Sequence, residues 1–548
     1  TDAAEPFVAP RDELERSVAR AWRDLLGVER VGANDDFFDL GGHSLLITKL
    51  AAWVQAAHGV HVPLRERFAG ATVATTARRI REATPAGPAP IPVADRSAAL
   101  PLSFAQQDLC EHGPAPAEDP FHNVVTAITL TGDLDAAALR AALDDVVRRH
   151  EPLRSRVVRR GGTRVQEVLP TGTWPLTTLD LADRDSTARA AALRDAVLAE
   201  ERRGFTLADE PPVRASLIRL APREHVLVQV MHHLVTDNWS YGVLLHEMSE
   251  CYAARVTGRA ADLPALPVAF ADVAAWQQRR LASGALDGDL AYWRERLADL
   301  PPPARYRVPA RQRPVPVTGV ATGFAVAPVE VAALRALGRA EDATLFAVLM
   351  SAFQVLLSAY SGADDVVVDF PAAGRARPET ASLIGFLVNH LAIRVDLSDN
   401  PPFRELVRRV RAQAVDAQAH QDAPLRAVTD RDLTRTTFNL LNAVLPEPAL
   451  PGLTVTPTTV GAGDDYVFTE VVADFGKIAV DIGLVAREDD TGALRGVWLH
   501  APNAVEPRTV AAMAGVWPVL LRAVTADPDR RVGDLRATLL DTPLDGQE

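Results

Sequence analysis

The chain has 548 residues, enough for three or four folding units at roughly 150 residues each. With 48% hydrophobic and 24% charged residues it is ordinary globular protein, and its two cysteines, Cys110 and Cys251, exclude a disulfide scaffold and point to a reduced, cytoplasmic setting. A formal charge of −13 argues against nucleic-acid binding, no uninterrupted apolar run is long enough to span a membrane, and Thr1–Pro10 lacks the pattern of a signal peptide.

In chain order, Leu14, Val18, Trp22 and Leu25 recur at helical spacing and predict an amphipathic helix. Asp36-Phe37-Phe38-Asp39-Leu40-Gly41-Gly42-His43-Ser44-Leu45 then sets one serine at a glycine-rich turn, before a second helix striped by Leu46, Leu50, Trp53 and Val54. A helix N-terminus offers unpaired N–H groups and the positive end of the dipole, so Ser44 either caps the helix or carries a phosphate ester there. Val62 to Phe68 and Thr72 to Ile80 follow, the segments to which the resemblance given below assigns the last two helices of this unit. Residues 83–99 are proline-rich and predict an extended tether, reaching on the order of 50 Å at ~3.1 Å per residue. The body beyond it should be roughly 55–60 Å across, so such a tether could take the N-terminal unit to the near face easily and to the far face only when fully extended.

In that body, Ala136–Arg149 and Thr344–Tyr360 read as helices, and Val124–Leu130, His225–Met231 and Asp365–Asp369 as strands. This mixture implies an α/β or α+β body of two lobes. The strand His225–Met231 runs into His232-His233-Leu234-Val235-Thr236-Asp237-Asn238-Trp239-Ser240. Strand alternation puts His232 on the face of Val226, Val228 and Val230, and His233 on the face of Leu227, Gln229 and Met231. The valine face is expected to be core and the Gln229 face to border a channel, which makes His233 the reactive imidazole and His232 the packed one. Adjacent strand histidines diverge and no second ligand pair is present, which argues against a metal. A purely structural histidine pair remains open on these residues alone.

Two motif sets resolve the choice by resemblance. Asp36-x-Phe-Phe-x-Leu-Gly-Gly-x-Ser44-Leu45 resembles the attachment motif of peptidyl carrier proteins, the swinging-arm domains of nonribosomal peptide synthetases. His232-His233-x-x-x-Asp237 resembles the active-site motif of their condensation domains, relatives of chloramphenicol acetyltransferase. Further landmarks follow in order: Ser103-Phe104-Ala105-Gln106, Arg149 to Arg154, Phe270 to Trp276, Ile384 to Asn389 with Arg394, His420 to Pro424, and Arg431 to Arg435.

The resemblance implies a small four-helix carrier bundle (1–82), a linker (83–99) and two acetyltransferase-like lobes in a V (100–275 and 276–548). It further implies 4′-phosphopantetheine on Ser44, catalysis by His233, and structural roles for His232, Asp237 and Arg375, the last two as an ion pair. Asn238, Ser240 and Asn389 are tunnel or motif candidates, and no metal is implied. Partners would be adenylation domains upstream and downstream, a downstream acceptor carrier and a phosphopantetheinyl transferase, with no nucleic acid or membrane. The reaction implied is attack of an acceptor amine on a donor thioester. An epimerisation domain and a degenerate condensation-like docking platform are the rivals; a heterocyclisation domain is disfavoured because it replaces the histidine motif with aspartates. Several residues depart from the family pattern: Asn238 for glycine, Asp108 for arginine, Cys110 for an aromatic, His390 for threonine and Arg426 for glutamate. Cys110 is expected to be a small buried hydrophobe, with no role as a nucleophile.

Overall fold

In the computed structural model, Glu13–Leu26 begins where the Asp12 carboxylate accepts from the Glu15 amide and ends at Gly27 in the left-handed conformation. Its apolar stripe buries Val18 and Trp22 completely. Ser44–His58 and Val73–Glu82, the latter capped by Thr72, pack with it, and Trp22 meets Phe37 edge-on at 4.8 Å. The described residues are 7–37, 40–42, 44–60, 62, 71–83, 89–112, 118–309, 312, 321–441, 448–458 and 480–544. Phe38, Asp39 and His43 of the attachment motif, the expected helical segment 63–68 and linker residues 84–88 lie outside them.

The described strands are β1 (Leu100–Pro101), β2 (Asn123–Gly132), β3 (Ser155–Arg160), β4 (Thr163–Val168), β5 (Leu176–Asp180), β6 (Val213–Ala221) and β7 (Glu224–His232) in the first half. The second half adds β8 (Ala321–Val326), β9 (Asp365–Ala372), β10 (Asn389–Asp396), β11 (Thr436–Leu441), β12 (Leu453–Pro457), β13 (Ile482–Glu488) and β14 (Leu494–His500). They form a five-stranded sheet β12-β2-β7-β6-β5, a six-stranded sheet β10-β9-β11-β13-β14-β8 and a small sheet β1-β4-β3. Each large sheet has its own core. The first is built with Ala136–Arg149 and Asn238–Thr257, the second around Leu345–Ser361, which is buried along nearly its whole length.

Four expectations can be set against the structure, and three of them need correction. The lobe division expected at 275/276 falls inside the helix Phe270–Ala282, and β12, from the second half, pairs antiparallel with β2 in the first half's sheet. No single cut in sequence therefore separates the lobes. Next, Pro507–Ala526 is long and apolar enough to cross a membrane by length and composition, yet Arg508, Thr509 and Arg522 interrupt it and it is a core helix that buries Val510, Met513, Trp517 and Leu520 completely.

Third, the linker from Ala89 onward is strapped to the body. Ile91 packs with Phe270, Leu383 and Leu387. The Ala94 amide donates to Asp272 at 2.8 Å, Arg96 bridges Asp272 (2.7 Å) and Glu151 (3.1 Å), and Arg377 donates to the Ala89 carbonyl. Fourth, β7 is buried on both faces: Gln229 is 1% exposed and faces Met248 of Asn238–Thr257, while the valine face is on the side of the Arg214–Glu200 pair. The face assigned to a channel is thus covered by a helix.

Candidate functional site

At the carrier end, Ser44 is the first residue of its helix, after a turn in which the Gly42 amide donates to the Phe37 carbonyl at 2.8 Å. A Cβ on Gly42 would lie 2.2 Å from the Phe37 ring, so only glycine permits this turn. A serine opening a helix beside a close-packed glycine suits a phosphate ester, and the backbone here fits covalent 4′-phosphopantetheine. The same helix lies beside Pro378–Thr380 of the body, with Lys49 Nζ 5.8 Å from the Trp239 ring centroid.

Strand β7 ends at His232, and His233 opens a 3₁₀ turn, His233–Val235. Alternation along the strand therefore stops one residue short of the residue it was used to place. His232 is fully buried, and its Nδ1 accepts from the Leu234 amide at 3.0 Å. His233 keeps part of its surface exposed and packs edge-on against Phe386 at 4.5 Å, while its Nδ1 is buried with no hydrogen-bond partner among the described residues. Enclosure in the protein pushes this imidazole down to about 4; Asp237 pulls the other way, and His122 and His390 lie near enough to add to the fall. At neutral pH it is uncharged and able to accept a proton.

The turn is held from two sides. Gln106 Nε2 donates to the Leu234 carbonyl at 2.7 Å, and Ser103 Oγ donates to the Phe386 carbonyl at 3.0 Å, so the first landmark positions both the imidazole's turn and the ring against it. On the other side Asp237 caps Asn238–Thr257, accepting from the Ser240 amide at 2.8 Å. Arg375 Nη2 meets both Asp237 oxygens at 3.0 and 3.1 Å, and also Ser240 Oγ and the Gly385 carbonyl. Arg375 Nη1 donates to the Thr380 and Leu383 carbonyls, and the Leu387 amide donates to Asp237. Gly374, at φ +66°, has the Leu387 carbonyl 1.8 Å from any added Cβ, so this approach requires glycine. The result is a buried lattice tying the Asp237 loop to the other half of the chain.

Two of the three tunnel candidates are engaged elsewhere. Ser240 is fully buried in that lattice, which removes it from any channel wall. Asn389 spends its amide on the Gln421 and Ala423 carbonyls, tying two landmarks together. Asn238 is partly exposed and is the first residue of its helix. It is not among the residues at positive φ, so the glycine it replaces is not needed for backbone conformation.

The departures at Asp108 and Arg426 meet in space. Arg426 Nε donates to Asp108 Oδ1 at 2.8 Å across 318 residues, so the two positions form an ion pair here. Cys110 packs at the edge of the first lobe's core, and burial pushes its thiol up to about 11, which leaves it protonated and unreactive at neutral pH.

The sequence patterns did not single out one pair. His390 Nδ1 lies 3.0 and 3.1 Å from the Asp369 oxygens; Asp369 is fully buried and also accepts from Thr437 Oγ1 at 3.0 Å. Burial works against charge on His390, yet Asp369, helped by Asp108 and Asp432, outweighs it and raises this imidazole above its ordinary value. The available signal was the register of β9 and β10. His390 pairs with Pro371, which puts Asp369 on the same face one diagonal step away, the relation that also joins Arg394 to Asp365.

Known proteins place this architecture. The phosphopantetheine attachment site family matches residues 16–80 and the condensation domain family residues 97–538. A linear gramicidin synthase polypeptide of Brevibacillus parabrevis is 36% identical over 544 residues, covering 96% of this chain and 10% of that protein; the chain thus spans about a tenth of this relative. The X-domain solved in complex with OxyB from teicoplanin biosynthesis superposes with a TM-score of 0.67 at 25% identity, over 82% of this chain and 98% of that one. The first condensation domain of the calcium-dependent antibiotic synthetase superposes with a TM-score of 0.63 at 20% identity, over 80% and 98%, a likeness of fold. The attachment-site family takes covalent 4′-phosphopantetheine on a serine. The chain belongs to the condensation domains of nonribosomal peptide synthetases, a family of peptide-bond-forming acyltransferases, and carries a phosphopantetheine attachment domain ahead of this body.

Proposed function

We propose that this carrier and condensation body act as a pair, in which an acyl group borne on Ser44 is transferred to an incoming amine beside His233. The observation that carries the reading is the contrast between the two adjacent imidazoles. His232 is sealed and bonded, whereas His233 is partly exposed and uncharged on a turn braced from both halves of the chain. When attached, 4′-phosphopantetheine supplies a terminal thiol on which an acyl group rides as a thioester.

The residues of the chain do the rest. The strap at Ala89–Ala99 and the Lys49–Trp239 contact keep the carrier beside the Asp237 loop, which supports its serving as the donor carrier. A free α-amine has a pKa of ~7.7–8.0, so roughly a tenth is already neutral at pH 7, and positioning the two substrates contributes more than deprotonation. His233 orients the amine and accepts a hydrogen bond from it, while Asp237 and Arg375 hold the turn. Adenylation domains that load the carriers, a downstream acceptor carrier and a phosphopantetheinyl transferase are the partners this reaction requires.

With donor and acceptor carriers loaded, single-turnover assay of His233→Ala should show amide formation slowed by ~10²–10⁴-fold with the fold intact. Unchanged kinetics would refute the role. A second reading, a docking platform, is favoured by the likeness to the X-domain solved with OxyB. It predicts no amide product from the wild-type chain under any loading.

A further inference from the structure

We propose that Phe386 is a positioning residue of this site: its ring, carried on a backbone anchored from both halves of the chain, fixes the orientation of the His233 imidazole. This role rests on the condensation reading above and goes one residue further. An imidazole that works on a substrate needs its ring held, ordinarily by a hydrogen bond on the nitrogen remote from the chemistry. His233 Nδ1 is buried with no hydrogen-bond partner among the described residues, so no bond of that kind orients it. The contact the ring does make is with Phe386, with centroids 4.5 Å apart and planes at 78°, an edge-to-face geometry that aromatic rings prefer.

A ring can position its neighbour only if it is itself immobile. Phe386 is 7% exposed, and each residue from Ile384 to Leu387 has a backbone group tied down. The Ile384 amide donates to His150 Nδ1 at 3.3 Å, and His150 Nε2 lies 2.7 Å from the buried Glu247, which also accepts from Arg149 at 2.9 Å. The Gly385 amide donates to Ser240 Oγ and its carbonyl accepts from Arg375, each at 3.0 Å. Gly385 itself sits so close to Phe270 that a Cβ would come within 2.1 Å of that ring. The Phe386 carbonyl accepts from Ser103 Oγ, and the Leu387 amide donates to Asp237.

The imidazole and the phenyl ring also share a support. Ser103 holds the Phe386 carbonyl and Gln106 holds the Leu234 carbonyl of the His233 turn, while the Ser103 amide donates to Gln106 Oε1 at 3.0 Å. One short segment therefore sets the distance between the two rings. With Nδ1 sealed, Nε2 is the ring nitrogen left to accept a hydrogen bond from the amine. Phe386 takes no part in proton transfer; it keeps that nitrogen aimed.

The test uses the full chain with a loaded donor, a loaded acceptor carrier, and the variants Phe386→Leu and Ser103→Ala. Phe386→Leu keeps apolar bulk and loses the ring. It should slow single-turnover amide formation at saturating acceptor about 10-fold, with the half-saturating acceptor concentration unchanged. Ser103→Ala, which frees the Phe386 carbonyl, should act in the same direction by less. The readout independent of turnover is NMR of the His233 ring protons, assigned by their absence in His233→Ala. Loss of the phenyl ring current should shift them in Phe386→Leu, and Ser103→Ala should shift them less. Should Phe386→Leu fail to fold, Ser103→Ala decides by the same two readouts. Unmoved His233 resonances, or a wild-type rate at saturating acceptor, overturns the proposal while leaving the condensation reading in place. A wild-type chain that forms no amide, or a His233→Ala chain as fast as the wild type, overturns both.

Discussion

His233 and His390 differ in almost everything that sets an imidazole's chemistry. His233 follows the end of a strand, has a buried Nδ1 without a partner among the described residues, and is pushed down to about 4 by its enclosure. His390 is the second residue of a strand in the other sheet, rests on the buried Asp369 and is raised. Both are enclosed, so burial alone does not decide the outcome; the presence of a fixed carboxylate does.

The contrast is tested hardest by removing the support of one ring. Arg375→Ala leaves Asp237 charged and buried without its partner, and should cost about 3–5 kcal/mol in denaturant unfolding while leaving the His390–Asp369 pair in place. Replacing both Asp237 and Arg375 by apolar residues should recover part of that loss.

The two imidazoles should also give opposite stability–pH slopes. The folded value of His233 lies below its free value of 6.5, so the unfolded chain binds that proton more readily. Its contribution is complete above 6.5 and lost as pH falls towards about 4, on the order of 2 kcal/mol after allowing for partial exposure. His233→Gln should flatten unfolding free energy against pH in that window. His390 runs the other way: its contribution is present below the free value and lost as pH rises through the raised folded one, so His390→Gln should flatten the alkaline side.

The smallest effect concerns the Asp108–Arg426 pair. Asp108→Arg and Arg426→Glu should each cost about 1 kcal/mol, and the double variant should recover most of it, since the charges again face each other. Equal losses that simply add would show that the pair contributes nothing.

What the sequence disclosed follows a physical pattern. Helical stripes such as that of Ala136–Arg149, and capping residues such as Thr344 before Leu345–Ser361, are local, and their elements lie where the spacing put them. The chemistry-bearing motif around His233 was equally legible because its residues are contiguous. Strand alternation failed at Gln229, because a strand sandwiched between helices has no solvent face for a polar residue to mark, and at His233, because the strand had already ended. The Asp108–Arg426 pair, β12 crossing to β2 and Asp369 beneath His390 depend on pairings between residues distant in the chain. The strap went unread because a proline-rich composition describes backbone stiffness; it does not record that Ile91 and Arg96 have places to dock.

The most direct measurement is single-turnover amide formation between a donor loaded at Ser44 and a loaded acceptor carrier, comparing the wild type with His233→Ala. The expected outcome is product from the wild type and a ~10²–10⁴-fold slower rate from a variant with unchanged melting. Equal rates, or no amide from the wild-type chain, would contradict the role given to His233.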